Sequence, residues 1–377
     1  MKIGIVCYPT FGGSGVVATE LGKALADHGH EVHFITYSQP ARLDFFSENL
    51  FYHEVTVSKY PLFDYPPYEL ALASKLVDVV SYEQLDILHV HYAIPHASAA
   101  YMAKQILASN GIHIPVVTTL HGTDITLVGK DRTYKPVVTF SINQSDGVTA
   151  VSQDLKNDTC KFFEIKKDIK VIPNFIDLNR FQHKAQNHFK IAIAPHEEKI
   201  IVHTSNFRKV KRVPDVVKIF AKIVEKIPAK LLLAGDGPER SEVEQLVREL
   251  NLKDSVRFLG KLDAVEEILS VSDLFLLPSE TESFGLAALE AMACKLPVIS
   301  SNAGGIPELN INGVTGFLNE VGDIDGMAAN AIHILENQER LDAFKVRALA
   351  HAKTFDIALI MPQYEAFYQE IINSSKK

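Results

Sequence analysis

Cysteine is scarce in this chain: Cys7, Cys160 and Cys294 are the three in 377 residues. They are odd in number and far apart, which excludes a disulfide framework and gives no zinc-ligand spacing. The expectation is a reducing compartment, the cytoplasm. Long apolar runs are also missing. No stretch approaches the roughly 18 uninterrupted apolar residues of a membrane span. The first residues, Met1 to Val6, enter a strand at once, so no secretory leader is expected. Positive charge is not in excess either. The formal net charge is −8 and there is no large basic block. Nucleic acid is therefore not expected as the main partner, nor stable association with an anionic membrane. What remains is an ordinary globular composition, 47% apolar and 22% charged. The length exceeds one ordinary core, so two domains are the default.

The most informative stretch runs from Leu274 to Ala293. Leu274 to Leu277 reads as a buried strand. A short polar turn follows, and then an Ala- and Leu-rich segment with helix propensity. In open α/β sheets ligands bind there, beyond the carboxyl ends of the strands. Ser283 is the expected N-cap, which would leave the amides of Phe284, Gly285 and Leu286 pointing outward for a phosphate. Gly285 would let a ligand approach the backbone. Glu282 and Glu290 cannot attract a phosphate; they suit hydrogen bonds from the neutral hydroxyls of a nucleotide sugar. Two solvated glutamates beside a capped helix are the plainer alternative.

The rest of the chain reads as two βαβ series. In the first, Lys2 to Tyr8 is a strand, the loop Pro9 to Gly15 carries Gly12, Gly13 and Gly15, and Val16 to Ala26 is a helix. Glu31 to Tyr37 is the next strand, so the sheet is parallel. The loop is not GxGxxG and no acidic residue follows at the right distance, which argues against a dinucleotide site. Residues 39 to 83 are aromatic- and proline-rich, with one helix expected near Glu69 to Tyr82. Asp86 to Tyr92 is a strand in which His89 and His91 share a face, for packing or hydrogen bonding rather than zinc. Ser98 to Ala108 is a helix. Val116 to Leu120 is a strand ending at His121 and Asp124, both placed for substrate; Asp124 is equally suited to capping. Gly147 to Ser152 is a strand and Ser152 caps the helix from Gln153 to Phe162. The second series runs through strands at Lys199 to His203, Lys230 to Ala234, Val256 to Leu259, Leu274 to Leu277 and Pro297 to Ser300. Asp325 to Ile372 is helical.

The pattern Glu282-x7-Glu290, with Gly285 two residues after Ser283, resembles the signature of retaining glycosyltransferases of the GT-B fold. Val151 to Asp154 and the segment Pro173 to Asp177 also match, and nearly the whole chain resembles glycosyltransferase family 4. The resemblance implies an α/β fold of the GT-B type, two Rossmann-like βαβ domains facing each other across a cleft. It implies an N-terminal acceptor-side domain of residues 1–172 plus a returning 357–377, and a nucleotide-sugar-binding domain of residues 173–356. The activity implied is transfer of N-acetylglucosamine from UDP-GlcNAc to the hydroxyl of L-malate, with retention, as the first step of bacillithiol biosynthesis. Alternatives are another soluble acceptor such as an inositol phosphate or sugar, a UDP-sugar epimerase, and a non-catalytic binder. No cofactor is expected beyond the donor, and no metal: no DxD-type or EF-hand site stands out. A homodimer is among the assemblies left open.

By the same resemblance His121, Lys211 and Glu282 are the catalytic set. Glu282 would hold sugar hydroxyls and Glu290 the ribose. Gly13, Ser14, Ser283, Phe284, Gly285 and Leu286 would serve the diphosphate, and Leu262, next to Lys261, the base. The family's Gly-Arg-x4-Lys becomes Ser205, Asn206 and Lys211 here. Asn206 stands in the arginine's place, and Arg208 is the substitute for its charge. L-Malate is a dianion and needs cations. Arg132 ahead of Lys59 is the expectation, with Tyr92 and Thr119 as hydrogen-bonding neighbours; Lys130 and Lys135 are further basic residues nearby.

Overall fold

The computed structural model describes residues 1–43, 47–57, 65–127, 131–182 and 187–375. The chain divides into two compact units, Met1–Asn174 with Ile357–Lys377, and Phe175–Asp356. The first unit opens with β1 (Lys2–Val6), α1 (Gly13–Asp27), β2 (Glu31–Thr36), β3 (Leu50–Glu54), α2 (Tyr68–Glu83) and β4 (Ile87–His91). It continues with α3 (Ser98–Ser109), β5 (Val116–Leu120), α4 (Lys135–Gln144), β6 (Gly147–Ala150), α5 (Gln153–Phe162) and β7 (Ile169–Val171). The seven strands form one parallel sheet in the order β3-β2-β1-β4-β5-β6-β7. Every residue of β4 and β5 is buried, as expected where helices cover both faces of a parallel sheet. On one face, Leu72, Leu76 and Val80 of α2 and the alanines of α3 pack against Leu88 and Val90.

The second unit holds α6 (Asn187–Ile193), β8 (Lys199–Ser205), α7 (Val213–Val224), β9 (Ala229–Gly235), α8 (Arg240–Glu249), β10 (Val256–Gly260) and α9 (Val265–Val271). Then come β11 (Leu274–Leu277), α10 (Leu286–Ala293), β12 (Val298–Ser301), α11 (Ile306–Leu309), β13 (Gly316–Asn319), α12 (Ile324–Leu335) and α13 (Gln338–Ala352). Its six strands are parallel in the order β10-β9-β8-β11-β12-β13. The amphipathic α7 buries Val213, Val217, Phe220 and Ile223 with Leu231 and Leu233 of β9 and Met327 and Ala331 of α12. Phe175 and Ile176 are buried here too, and the Ile176 amide donates to Phe355 O at 2.9 Å. Phe175, where the family's segment has glycine, is thus a packing residue.

The last helix, α14 (Ile357–Ser375), belongs to the first unit. Tyr364 and Tyr368 on it are fully buried, and the Tyr368 hydroxyl lies 2.6 Å from His89 Nδ1. Among the described residues no helix is long and apolar enough to cross a membrane.

In both sheets the strand order reverses beside the first strand of the unit, between β1 and β4 and between β8 and β11. Loops leaving the carboxyl ends of such a strand pair diverge to opposite faces and leave a crevice for a ligand.

Candidate functional site

In the second unit the two loops at the reversal point are built by glycine and hydrogen bonds. The loop after β8 turns at Phe207, which has φ +40 and is fully buried. A Cβ on Gly235 would stand 1.8 Å from Ser205 O, and one on Gly237 2.0 Å from Asn206 O, so only glycine lets the β9 loop pass this close. The Glu239 amide donates to Phe207 O at 3.0 Å, and the Glu280 amide to Val210 O at 2.8 Å. His203 cross-links β8 to β11: Nδ1 donates to Leu276 O at 2.8 Å and Nε2 accepts from Ser205 Oγ at 2.8 Å. Burial pushes its pKa down to about 4, so it stays neutral.

This frame brings Lys211 and Glu282 together, with Nζ 2.5 Å from Oε1. Ser279 Oγ donates to the same oxygen at 2.8 Å. The Glu282 carbonyl accepts the Gly305 amide at 2.8 Å. A Cβ on Gly304, which has φ +61, would stand 2.1 Å from that carbonyl oxygen. Glu282 is therefore fixed at both side chain and backbone. Asn206 and Arg208 are exposed, and Arg208 forms no ion pair among the described residues. Arg212 is occupied by Asp215, Nε to Oδ2 at 2.7 Å.

The expected cap at Ser283 is not formed. The helix α10 starts at Leu286, and the residue before it, Gly285, has φ +94 and no side-chain cap. The reason is Phe284, which is turned into the interior against Phe355, ring centroids 5.5 Å apart. Bringing the chain back from that anchor into a helix takes a left-handed residue, which glycine supplies. The amides of Phe284, Gly285 and Leu286 donate to no backbone carbonyl among the described residues. They form a donor group at the positive end of a helix, suited to an anion. Glu290 is buried in the second turn of α10. Leu262 is half-buried just past Gly260, the end of the edge strand β10.

In the first unit the reversal point carries Gly13, Ser14 and Tyr92. The glycine loop is the first turn of α1, which begins at Gly13. Gly15 is there for packing: a Cβ would lie 2.4 Å from the carbonyls of Tyr8 and Thr10. Tyr92, after β4, donates its hydroxyl to Ser14 Oγ at 2.7 Å and so spans the two strand ends. Its backbone sits at φ +84, ψ 137. For a tyrosine this costs on the order of 1–3 kcal/mol and marks a position held by its surroundings.

Beyond β5, His121 is nearly buried and its Nε2 lies 2.7 Å from His91 Nδ1. Burial pushes the pKa of His121 down to about 3, so it is a neutral imidazole at pH 7. Asp124 accepts the amides of Ala93 at 2.9 Å, Gly122 at 3.1 Å and His121 at 3.4 Å. It ties the β4 and β5 loops together. Burial, offset by these amides, pushes its pKa up to about 6. His96 Nδ1 donates to His91 O at 2.5 Å, so its Nε2 is an unprotonated acceptor. Among the described residues His96 Nε2 and His91 Nε2 are buried without partners. Tyr8 closes the group, 5.3 Å from Tyr92 and 4.6 Å from His96 between ring centroids. Tyr8, His96, Ser279 and the positioning roles of His203 and Gly304 were not read from the sequence. The one available signal was the Gly304-Gly305 pair following a strand.

Thr119 has to be corrected. It is fully buried in β5, and its hydroxyl is spent on His89 Nε2 at 2.7 Å and Thr149 Oγ1 at 2.6 Å, so it presents nothing to a ligand. Arg132 lies exposed in the turn before α4, and Lys135 begins that helix. Lys59 and Lys130 fall outside the described residues.

Comparison with known proteins bears on this arrangement. The family description Glycosyltransferase Family 4 matches residues 11–180, and Glycosyl transferases group 1 matches residues 184–350. The chain is 52% identical to N-acetyl-alpha-D-glucosaminyl L-malate synthase of Bacillus anthracis, over 100% of this chain and 98% of that one. The chain belongs to glycosyltransferase family 4. The fold of this glycosyltransferase is GT-B. It superposes on Anabaena Alr3699/HepE in complex with UDP-glucose with TM-score 0.83 at 22% identity, covering 99% of this chain and 100% of that one. Sucrose-phosphate synthase from Thermosynechococcus elongatus gives 0.82 at 22% identity, covering 99% and 100%. At such identity these two structures speak for the fold, and the glycosyltransferase assignment rests on the family matches and the Bacillus anthracis relative.

Proposed function

We propose that this glycosyltransferase moves N-acetylglucosamine from UDP-GlcNAc to the hydroxyl of L-malate, with retention of configuration and without a metal ion at the site of transfer. The observation that carries the donor half is the Lys211–Glu282 pair at 2.5 Å, in the loop whose amides at residues 284–286 donate to no backbone carbonyl among the described residues. The acceptor half rests on the 52% identity to a relative whose name states that product. In this reading the diphosphate sits on the amides of Phe284, Gly285 and Leu286 and on Lys211, with Arg208, Asn206 and Ser283 as further contacts. Glu282 accepts hydrogen bonds from the sugar, Glu290 from the ribose, and Leu262 lies by the base. Arg132, Lys59 and Tyr92 serve the dianionic acceptor, and neutral His121 accepts or donates hydrogen bonds at the sugar without adding charge.

Charge explains the chemistry. The bond from the anomeric carbon to the phosphate oxygen breaks, and negative charge grows on UDP. Lys211 and the fixed amides stabilise that charge without reorganising. The acceptor hydroxyl attacks the face the phosphate leaves, and its proton passes to the departing phosphate oxygen. Products are UDP and an α-linked N-acetylglucosaminyl malate. Lys211 and three amides supply the compensating charge that a metal would otherwise bring. The proposed setting is the cytoplasm, in keeping with three free cysteines, and a homodimer is the assembly to look for by sedimentation.

The test is UDP release from UDP-GlcNAc by purified protein, with and without L-malate and with and without EDTA. Malate-dependent release that survives EDTA, with one α-linked product by NMR, is the expected result. Release indifferent to malate would overturn the acceptor and leave the glycosyltransferase. Loss of turnover in EDTA, restored by a divalent cation, would overturn the metal-free reading.

A further inference from the structure

The first unit carries a second cluster of chemistry, at the other end of its sheet. His33 on β2 pairs in register with Phe51 on β3, so His33, Phe51 and His53 share one face of the edge of the sheet. Parallel strands place His33 and His53 diagonally, and their rings stack at 5.2 Å between centroids. His33 is fully buried, while His53 and Glu83 are half-buried. Glu83 is the last residue of α2, which runs back along the sheet. One nitrogen of each histidine and a carboxylate oxygen of Glu83 all lie within 4.8 Å of one another.

We propose that His33, His53 and Glu83 form a zinc(II) site, separate from the sugar-transfer residues, that clamps the edge strand β3 to β2 and to the end of α2. The hydrogen-bond geometry around His33 supports it. Glu31 Oε1 lies 3.1 Å from His33 Nε2 and is itself paired with Lys2 Nζ at 2.9 Å. A carboxylate held by an ammonium only accepts, so His33 Nε2 carries the hydrogen. His33 Nδ1 is then the accepting nitrogen, taking the hydrogen of His53 Nε2 at 2.9 Å, and an ion would take the place of that shared hydrogen. This is the carboxylate–histidine arrangement that orients metal-binding imidazoles.

The distances admit an ion with little movement. Two nitrogens at ~2.05 Å from tetrahedral zinc are ~3.3 Å apart, so the rings need to part by a few tenths of an ångström. Two imidazoles and a carboxylate with room for water suit zinc better than calcium or magnesium, which take oxygen ligands. The half-exposed His53 and Glu83 leave the fourth position open to solvent. The resulting clamp addresses a real weakness, since β3 is an edge strand of five residues with one neighbour.

The experiment uses the full chain without an affinity tag, stripped with a chelator, incubated with zinc chloride and dialysed. Wild type is expected to retain about one equivalent of zinc and to show a zinc-dependent rise in melting temperature. His53→Ala and Glu83→Gln should each weaken binding at least tenfold against a chromophoric chelator. Glu31→Gln should weaken it about 10- to 100-fold through the ring orientation alone. All three variants should keep the UDP-releasing activity, which shows that they fold. Wild type that holds no zinc above a background of weak surface binding would overturn the site. So would full zinc retention by both His53→Ala and Glu83→Gln, because the ion would then sit elsewhere.

Discussion

Glu282 and Lys211 are residues whose value lies in being held together. Each is partly buried, Ser279 donates to the same carboxylate oxygen, and the amides of 284–286 follow Glu282 in the same loop. Removing either leaves the other charge uncompensated beside a diphosphate. Glu282→Gln and Lys211→Met are each expected to lower the rate of transfer on the order of 10²-fold. The double variant should lose much less than the product of the two, because the residues act as one unit. Initial rates of UDP release measure both; strictly multiplicative losses would mean that the pair acts at separate places. These two side chains could be named as candidates from the sequence because each falls in a motif match of its own, Glu282 in the pattern ending at Glu290 and Lys211 in the basic stretch after Ser205. Thr119 was not. In a strand buried on both faces the residue order does not reveal which hydroxyl reaches a ligand, and Thr119 turned out to serve His89 and Thr149.

At the scale of elements, strand ends were read well and helix starts less so. β5 and β11 fall on the expected residues because short apolar runs bounded by turn residues have little freedom. The start of α10 was misplaced because the Phe284 anchor, a tertiary contact, outranks the local preference of Ser283 for a cap. The helix α4 went unread because its apolar residues do not separate by face: Val138 and Ile142 are buried, but Val137 and Phe140 are exposed. The loop after β12 offers a direct test of how elements position Glu282. Gly304 and Gly313 both have positive φ, but a Cβ on Gly313 meets nothing within 4 Å. Gly313→Ala is expected to cost about 1–2 kcal/mol, the left-handed backbone alone, with normal turnover. Gly304→Ala must also push the Glu282 carbonyl away. It should cost more stability and lower turnover at least tenfold in UDP-release assays at a temperature where both variants are folded. Equal turnover in the two would mean that Gly304 does not position Glu282.

Over the whole molecule, the two units share a doubly wound plan and differ in what they bury. The first holds His33, His89, His91, His96 and His121 in its interior, the second His203. Burial pushes His89 and His121 down to about 3, His96 to about 4, and His91 well below the ordinary value. His203 is pushed down to about 4. In the unfolded chain these groups titrate near 6.5. As pH falls through 6.5 the unfolded state takes up protons that the folded state refuses, so stability is complete above 6.5 and drains away below it. Each fully protected histidine contributes a slope of up to about 1.4 kcal/mol per pH unit. Asp124 runs the other way: raised to about 6, it takes a proton in the folded state first and offsets roughly one histidine of the first unit between pH 6 and 4. Four uncompensated buried histidines in the first unit against one in the second set the order of events. Acid should loosen the first unit before the second, in two steps rather than one. Hydrogen exchange read by mass spectrometry at pH 7.5 and 5.5 checks this. Faster exchange in β4, β5 and α14, with β8 and β11 still protected, is the expected outcome. Loss of protection in both units together, or in β8 and β11 first, would show that the buried histidines of the first unit do not govern its acid stability.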